Sequence, residues 1–531
     1  MAAAAQVRVA GTEPARPVDI DVRLRAAAKR HPGRSALQDS QRSLTWAEFD
    51  ARINRIANAL IRAGVEPNDR VAILARNSVA YAELIFGALR AGACVTPLSG
   101  LASPEALVSM VQDSGAKHLF LGEDYAADMI AREREMPGLA PGGLMTLGFE
   151  LDARRSFEAF IADAPEASPA VEISPDHGFN LIYSSGTTGT PKGILQDRRF
   201  RAQEAQDMIA GFGLDETMRT LVSTPLYSNT TLFLFVATMA AGGSAVIMEK
   251  FHPAGFLALS QVERITHAVV VPVQFTRLLK EPDFDRFDLS SYRAKFCTSA
   301  PLHASVKREI LDRWPAGGLT EFYGMTEGGV NCVLAAHEHP DKLDTVGLPA
   351  PDCDLRIVDE EARELPRGEV GEIVGRGSKM MVGYHNREEA TAEASWYDEQ
   401  GRRFHRSGDV GWLDADGFLH LLDRKKDMII SGGFNIYAID LERVLLAHPD
   451  VADAAVIGAP SADWGETPVA FVVLRAGTAP DLEALRSWAN ARLGKAQRIA
   501  ELRVLPELPR SPIGKVLKRE LRELLPPAAP G

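Results

Sequence analysis

Cysteine is scarce in this chain. Cys94, Cys297, Cys332 and Cys353 are the 4 cysteines among 531 residues, and no two form a CxxC pair. Their wide spacing offers neither a disulfide framework nor a zinc site, and implies buried free thiols in a reducing compartment. A matching ligand set is also missing around His337 and His339, which read as a solvated loop. Positive charge is in deficit: 59 Lys and Arg stand against 71 Asp and Glu, a formal net charge of -12. That balance argues against a nucleic-acid binder, which carries a basic face, and still leaves room for local phosphate pockets. No unbroken apolar run reaches the roughly 20 residues of a membrane span. Leu221 to Met248 lacks charge, but Thr230 and Thr231 precede its apolar part and Gly242-Gly243-Ser244 interrupt it. It reads as a buried helix, a turn and a buried strand at Ala245 to Met248. Met1 to Pro17 is Ala-rich without the apolar core of a secretory signal, so it is expected to be a disordered lead-in and the location cytoplasmic.

What is present points to an enzyme-sized α/β protein. Hydrophobic residues make up 46% and charged residues 24% of the chain, ordinary for a globular protein, and the length suggests two to four units. Helical spacing at Phe49, Ile53, Ile56 and Leu60 is followed by strand-like Arg70 to Leu74. A helix over Tyr81 to Ala91 precedes strands at Cys94 to Leu98 and Lys117 to Leu121. Such alternation implies parallel sheets covered by helices. After Gly347 short strands punctuated by Gly and Asp (Leu355 to Val358, Gly371 to Val374, Phe418 to Leu422) imply a small β-rich subdomain. A compact α+β unit follows the charge cluster Asp423 to Asp427, so the boundary is expected at Lys426, dividing the chain into 1–425 and 426–531.

Four segments carry chemistry. Tyr183-Ser184-Ser185-Gly186-Thr187-Thr188-Gly189-Thr190-Pro191-Lys192-Gly193 follows an apolar strand. Its small residues let backbone amides and hydroxyls surround phosphate oxygens, with one lysine as countercharge. It is not a Walker A loop, because the lysine follows proline and precedes Gly. Phe322-Tyr323-Gly324-Met325-Thr326-Glu327 offers an aromatic ring for a base, a hydroxyl for a phosphate and a carboxylate for magnesium. Arg406-Ser407-Gly408-Asp409, read as a tight turn, and Arg424 supply a carboxylate and a directed donor for ribose hydroxyls. Pro509-Arg510-Ser511-Pro512-Ile513-Gly514-Lys515 holds one lysine in a stiffened loop.

In this order and spacing the four segments resemble the adenylate-forming superfamily of acyl-CoA ligases, luciferases and adenylation domains, from about Leu44 to about Leu525. The resemblance implies a large N-terminal domain and a small mobile C-terminal one. It implies that Ser184, Ser185, Gly186, Thr187, Thr188, Gly189 and Thr190, with Lys192, cover the β- and γ-phosphates. Thr326 and Glu327 would meet the α-phosphate and Mg²⁺. Tyr323 and Gly324 would face adenine across from Ser299, Ala300 and Pro301, where Thr298-Ser299 departs from the two glycines of many relatives. Asp409 and Arg424 would hold the ribose, Lys426 would be the hinge, and Lys515 the adenylation lysine. Ser431, Gly432, Gly433 and Phe434 resemble the coenzyme A channel of the CoA-ligase branch.

For the acid, the resemblance points to Tyr227, Ser228, Asn229 and Phe275, with Ser228 where the family usually has a histidine. No Arg or Lys stands there to pair a second carboxylate. A medium- or long-chain fatty acid is expected, with an aryl or cinnamic-type acid, or loading of a carrier protein, as alternatives. ATP and coenzyme A would be co-substrates, no nucleic acid or membrane span is expected, and homodimerisation is left open.

Overall fold

The structure is a computed structural model that describes residues 17–151, 156–184, 191–425, 427–431, 434–461, 464–494, 497–511 and 514–525. Among these residues the strands form four sheets. In the first, Arg70–Leu74 lies between Cys94–Pro97 and Ala116–Leu121, all parallel. Gly178–Ser184 extends it in parallel, Lys192–Asp197 turns back antiparallel, and Gly383–Tyr384 closes that edge. The second sheet runs Ser35–Gln38, Ser244–Ile247, Arg219–Val222, His267–Val269, Ala294–Cys297 and Thr320–Gly324 in parallel, then Asn331–Ala335 antiparallel.

Helices Trp46–Arg62, Val79–Arg90 and Asn229–Ala240 share one core with strands of both sheets. Thr45 and Glu48 close the first of these helices with a reciprocal capping box, which satisfies two otherwise orphaned donors. Every residue of Val79–Arg90 is buried, Glu83 and Arg90 included. Those two charges leave water only with partners. Glu83 meets Arg42 and Arg52, and Arg90 donates to Asp21 and Asp50 at 2.7 Å each. Leu221 to Met248 folds as expected, a buried helix, a glycine turn and the buried strand Ser244–Ile247. No described helix is long and apolar enough to cross a membrane.

The third sheet carries Asp354–Val358, Gly371–Arg376, Arg403–Leu413, Ser395–Tyr397 and Leu419–Arg424; the fourth carries Ile429–Ser431, Phe434–Ile436, Val451–Ser461, Gly465–Leu474 and Glu501–Val504. One of these strands departs from the sequence reading, and a second goes beyond it. Arg403–Leu413 has charges and two glycines in place of an alternating pattern, and its register shifts between Val410 and Gly411. Asp409 therefore stands on a strand and not in a tight turn. Val451–Ser461 is rich in alanine, a poor strand former, and is held by pairing along the length of Gly465–Leu474. The fold class stands as expected: α/β, with a large N-terminal part built on sheets and a smaller C-terminal α+β part. All four cysteines are free thiols, and burial pushes the Cys94 thiol up to about 12.

Lys295 is a buried cation whose charge depends on pH. It lies fully buried in Ala294–Cys297, with its Nζ 5.0 Å over the Trp314 ring and donating to the Ala316 carbonyl. Burial lowers its pKa from 10.5 to about 7. Between those values the folded chain binds fewer protons than the unfolded one, so stability rises with pH from about 7 toward 10.5. Below that window the full cost of a buried ammonium is present. Lys295→Met is expected to raise the melting temperature by about 2 °C or more at pH 6, with the gain shrinking toward pH 10. A gain independent of pH across thermal scans would contradict this account.

Candidate nucleotide site

Tyr323 is the last residue but one of the strand Thr320–Gly324 in the second sheet, while Asp409 and Arg424 lie on paired strands of the third. The sheets meet at these residues. The Tyr323 hydroxyl donates to Asp409 Oδ2 at 2.7 Å, and Arg424 Nε stands 3.3 Å from Asp409 Oδ1. Asp409 is buried and Arg424 exposed. Burial, then the Asp409 charge, holds the Tyr323 hydroxyl well above its ordinary range and keeps it a donor. A buried carboxylate beside a solvent-reaching guanidinium is suited to gripping a diol, since the two groups can exchange partners without leaving a charge unpaired.

The strand then turns through Thr326 and Glu327 into Gly328 and Gly329. Both glycines have positive φ, and an added Cβ at Gly328 would stand 2.2 Å from the Lys379 carbonyl oxygen. Only glycine lets the loop lie on that backbone. Glu327 Oε1 accepts from the Tyr384 hydroxyl at 2.9 Å, and Lys192 Nζ lies 5.1 Å over the Tyr384 ring. Tyr384 reaches both because Gly383–Tyr384 pairs with Lys192–Asp197. The sequence reading missed Tyr384. Its signal was a lone aromatic after a glycine, and its partners are remote in sequence. Burial first, then Glu327, raises the Tyr384 hydroxyl, so it too remains a donor. The Thr326 carbonyl accepts from Gln196 Nε2 at 2.6 Å.

Ser299, Ala300 and Pro301 follow the strand Ala294–Cys297. Ser299 adopts φ +85°, the region that glycine takes without strain, and its hydroxyl is held against that of Thr230. The serine thus occupies a backbone position for which a glycine is the ordinary choice. Just beyond, the Leu302 amide donates to Glu321, which pairs with buried Lys307.

Ser511 and Lys515 are tied to one another, the Ser511 amide donating to the Lys515 carbonyl at 2.8 Å, and the Lys515 amide donating to Ser511 Oγ at 3.1 Å. Gly514 has φ +79°, and a Cβ there would stand 2.8 Å from Val273 Cγ1. The lysine loop therefore rests on Val271 to Val273, with Lys515 itself exposed. Gly514→Val is expected to lower adenylate formation by about ten-fold, because an over-packed contact costs about 1–3 kcal/mol. Thioester formation from a pre-made adenylate should be unaffected; an equal loss in both assays would contradict this.

On the acyl side the residues separate. Tyr227 is half-buried, and Ser228 caps the helix Asn229–Ala240, accepting from the Thr230 amide at 3.3 Å. Phe275 is a correction: it is fully buried and lies edge-on to Trp314 at 6.3 Å. Its ring completes the core beneath the second sheet and does not line an opening. Ser431 and Phe434 face one another across Ile429–Ser431 and Phe434–Ile436, and among the described residues neither makes a hydrogen bond or ion pair to the nucleotide cluster. Ser185, Gly186, Thr187, Thr188, Gly189, Thr190, Lys426, Gly432 and Gly433 lie outside the described residues; Ser184 ends the strand Gly178–Ser184 opposite Lys192.

The sequence profile of AMP-binding enzymes matches residues 24–385, and that of the AMP-binding enzyme C-terminal domain matches residues 440–515. The chain belongs to the AMP-binding enzyme family. Its similarities place it in the acyl-CoA ligase branch of these adenylate-forming enzymes. It is 34% identical to a feruloyl-CoA synthase of Amycolatopsis sp over 501 residues, covering 93% of this chain and 96% of that protein. It is 32% identical to the fatty acid–[acyl-carrier-protein] ligase ScoC of Streptomyces coeruleorubidus, covering 93% and 94%. The structure of ATP-bound MatB from Rhodopseudomonas palustris matches with a TM-score of 0.87 at 30% identity, over 96% of this chain and 98% of that one. The structure of the same protein in its apo form matches with a TM-score of 0.76 over the same shares.

The residues present fit a magnesium ion that arrives with ATP. Among the described residues no group of three His, Cys, Asp or Glu side chains could hold a metal alone. Glu327 offers one carboxylate, oriented by Tyr384, and magnesium in nucleotide sites commonly takes one or two carboxylates with phosphate oxygens and water.

Proposed function

We propose that this AMP-binding enzyme joins a carboxylic acid to the thiol of coenzyme A at the expense of ATP, through an acyl-adenylate. The observation that carries the reading is the meeting of Tyr323, Asp409 and Arg424 beside the loop of Thr326 and Glu327, with Lys192 one aromatic ring away. In this reading Asp409 and Arg424 hold the ribose. Tyr323 faces adenine across from Ser299 to Pro301, and Ser184 to Lys192 cover the outer phosphates. A carboxylate oxygen of the acid attacks the α-phosphorus in line and pyrophosphate leaves. Thr326, Lys192 and Lys515 supply donors and positive charge where the transferring phosphoryl gains negative charge. Glu327 would hold Mg²⁺, which when bound neutralises phosphate charge.

The second step forms a thioester. The thiol of coenzyme A loses its proton to solvent, its sulfur attacks the acyl carbon, and AMP leaves. We assign the hinge for this change to Lys426, dividing the chain into 1–425 and 426–531, and the thiol channel to Ser431 through Phe434. The seat of Gly514 on Val273 and the higher TM-score to ATP-bound MatB than to apo MatB both support reading the present arrangement as the adenylating one.

For the acid we favour an aryl, cinnamic-type compound, supported by the similarity to feruloyl-CoA synthase. The fatty acid expected from sequence draws its support from ScoC, whose name also keeps a carrier protein as an alternative acceptor. The test is a panel of aryl and fatty acids scored by AMP release with coenzyme A or a carrier protein as thiol. Release that depends on acid and thiol together supports the ligase reading, and its absence across the panel overturns it.

A further inference from the structure

Arg201 is fully buried in the helix Arg198–Phe212. A buried guanidinium needs partners on every side, and it has three. Its Nη1 meets Glu204 at 2.6 Å, its Nε donates to Asn180 Oδ1 at 2.9 Å, and its Nη2 donates to Asn229 Oδ1 at 2.7 Å. Gln196 continues the network. Its Oε1 accepts from Asn180 Nδ2 at 2.8 Å, and its Nε2 lies 3.5 Å from Asn229 Oδ1 and 2.6 Å from the Thr326 carbonyl oxygen.

This network fixes an orientation that asparagine ordinarily leaves open. Guanidinium nitrogens only donate, so the Asn229 atom facing Arg201 has to be the oxygen. Asn229 Nδ2 is turned away from Arg201, and it has no partner among the described residues. The residue is half-buried at the start of Asn229–Ala240. One turn on, Phe233 packs on Phe322 at 5.4 Å and Phe296 at 6.4 Å, the strands that lead into the Tyr323 and Ser299 loops. The neighbouring Thr230 hydroxyl meets Ser299. Asn229 thus stands between the segment of Tyr227 and Ser228 and the loop of Thr326, where acid and nucleotide would meet, with a donor held outward by a charge too deeply buried to move.

We propose that Asn229 selects the acid by donating from Nδ2 to an acceptor oxygen on its ring or chain, and that Arg201 is the positioning residue that keeps this donor outward. The substrates so defined are acids bearing a hydroxyl, methoxyl or carbonyl group, in preference to unsubstituted alkyl or aryl acids. The inference rests on the ligase reading and deepens it.

The test uses the full chain with ATP and coenzyme A, and acids in matched pairs: 4-hydroxycinnamic with cinnamic acid, 4-methoxybenzoic with 4-ethylbenzoic acid, and an ω-hydroxy fatty acid with its alkyl counterpart. kcat/KM is read from AMP release. The wild type is expected to favour the acceptor-bearing member of at least one pair by about ten-fold, the value of one well-placed hydrogen bond. Asn229→Leu should bring that ratio to about one. Arg201→Met should do the same, and Arg201→Lys, which keeps a donor to Oδ1, should restore part of it. The ratio compares two acids on one enzyme, so a general loss of stability does not move it. If Arg201→Met fails to fold, Asn229→Leu decides alone. Equal losses for both members, as expected if the amide meets the carboxylate common to all acids, overturn the inference, as does an unchanged ratio. Absence of acid-dependent AMP release from the wild type with any acid overturns the ligase reading itself, a result separable from the other two.

Discussion

Lys515→Ala is expected to reduce adenylate formation by at least about 100-fold, the scale of losing one preorganised charge at a developing anion. Thioester formation from a pre-made acyl-adenylate should be retained within a few-fold. The lysine is exposed where its own backbone closes against Ser511, so removing the side chain leaves those backbone hydrogen bonds in place. Surface substitutions of this kind change stability by about 0.5 kcal/mol or less. What is lost is a charge, delivered by a loop seated on Val271 to Val273. Single-turnover assays of the two half-reactions separate the outcomes. Equal losses in both would show that Lys515 serves the fold or both steps alike.

Lys426→Pro is expected to give the opposite split: adenylation within a few-fold of wild type, and thioester formation lower by on the order of 100-fold, the cost of misplacing reacting groups. Proline fixes φ and removes an amide proton, so it restricts rotation at the one residue where the C-terminal part is proposed to turn. The chain on either side is tied in its present arrangement. The Lys425 amide donates to the Gly408 carbonyl at 2.8 Å, and those of Asp427 and Met428 donate to Arg424 at 2.9 and 3.0 Å. Asp423 accepts from the Ala438 amide at 2.8 Å, and Arg522 meets Asp427 at 2.9 Å. Rearrangement around this point has to release some of these bonds. Full thioester activity in the proline variant would put the pivot elsewhere.

Much of the body was legible from the chain because its signals are local. Within the strand Arg70–Leu74, Val71 to Leu74 is a continuous apolar run, and a parallel strand buried on both faces requires that pattern. The helix Trp46–Arg62 announces its start with Thr45 and Glu48. Residues that work through distant partners were less legible. Asp409 looked like a turn residue because Gly408 precedes it, yet pairing with Leu419–Arg424 makes it a strand residue. Tyr384 sits on a strand of two residues whose identity comes wholly from Lys192–Asp197. Phe275 was assigned to the acyl wall from an uncharged stretch, but lack of charge does not separate a pocket wall from a core, and the ring packs on Trp314. Arg201 carries no local signal either, since nothing in its neighbourhood of the chain distinguishes a solvated arginine from one that Glu204 on its own helix and two other segments, at Asn180 and Asn229, hold in place.

The hydrogen bond from Tyr323 to Asp409 has a consequence beyond the placement of two side chains. It crosses from one sheet to another, so the proposed adenine contact and the proposed ribose contact belong to different β layers. A nucleotide gripping both would act as a clamp across that seam, adding a stabilisation of RT ln(1 + [L]/Kd) that falls on the joint between the layers and not on either layer alone. In that reading ATP would become a term in the mechanical coherence of the molecule: with the clamp in place the third sheet would be held to the second, and on AMP release the seam would return to the strength of its own side chains. Each turnover would accordingly stiffen and relax the junction beside the proposed hinge.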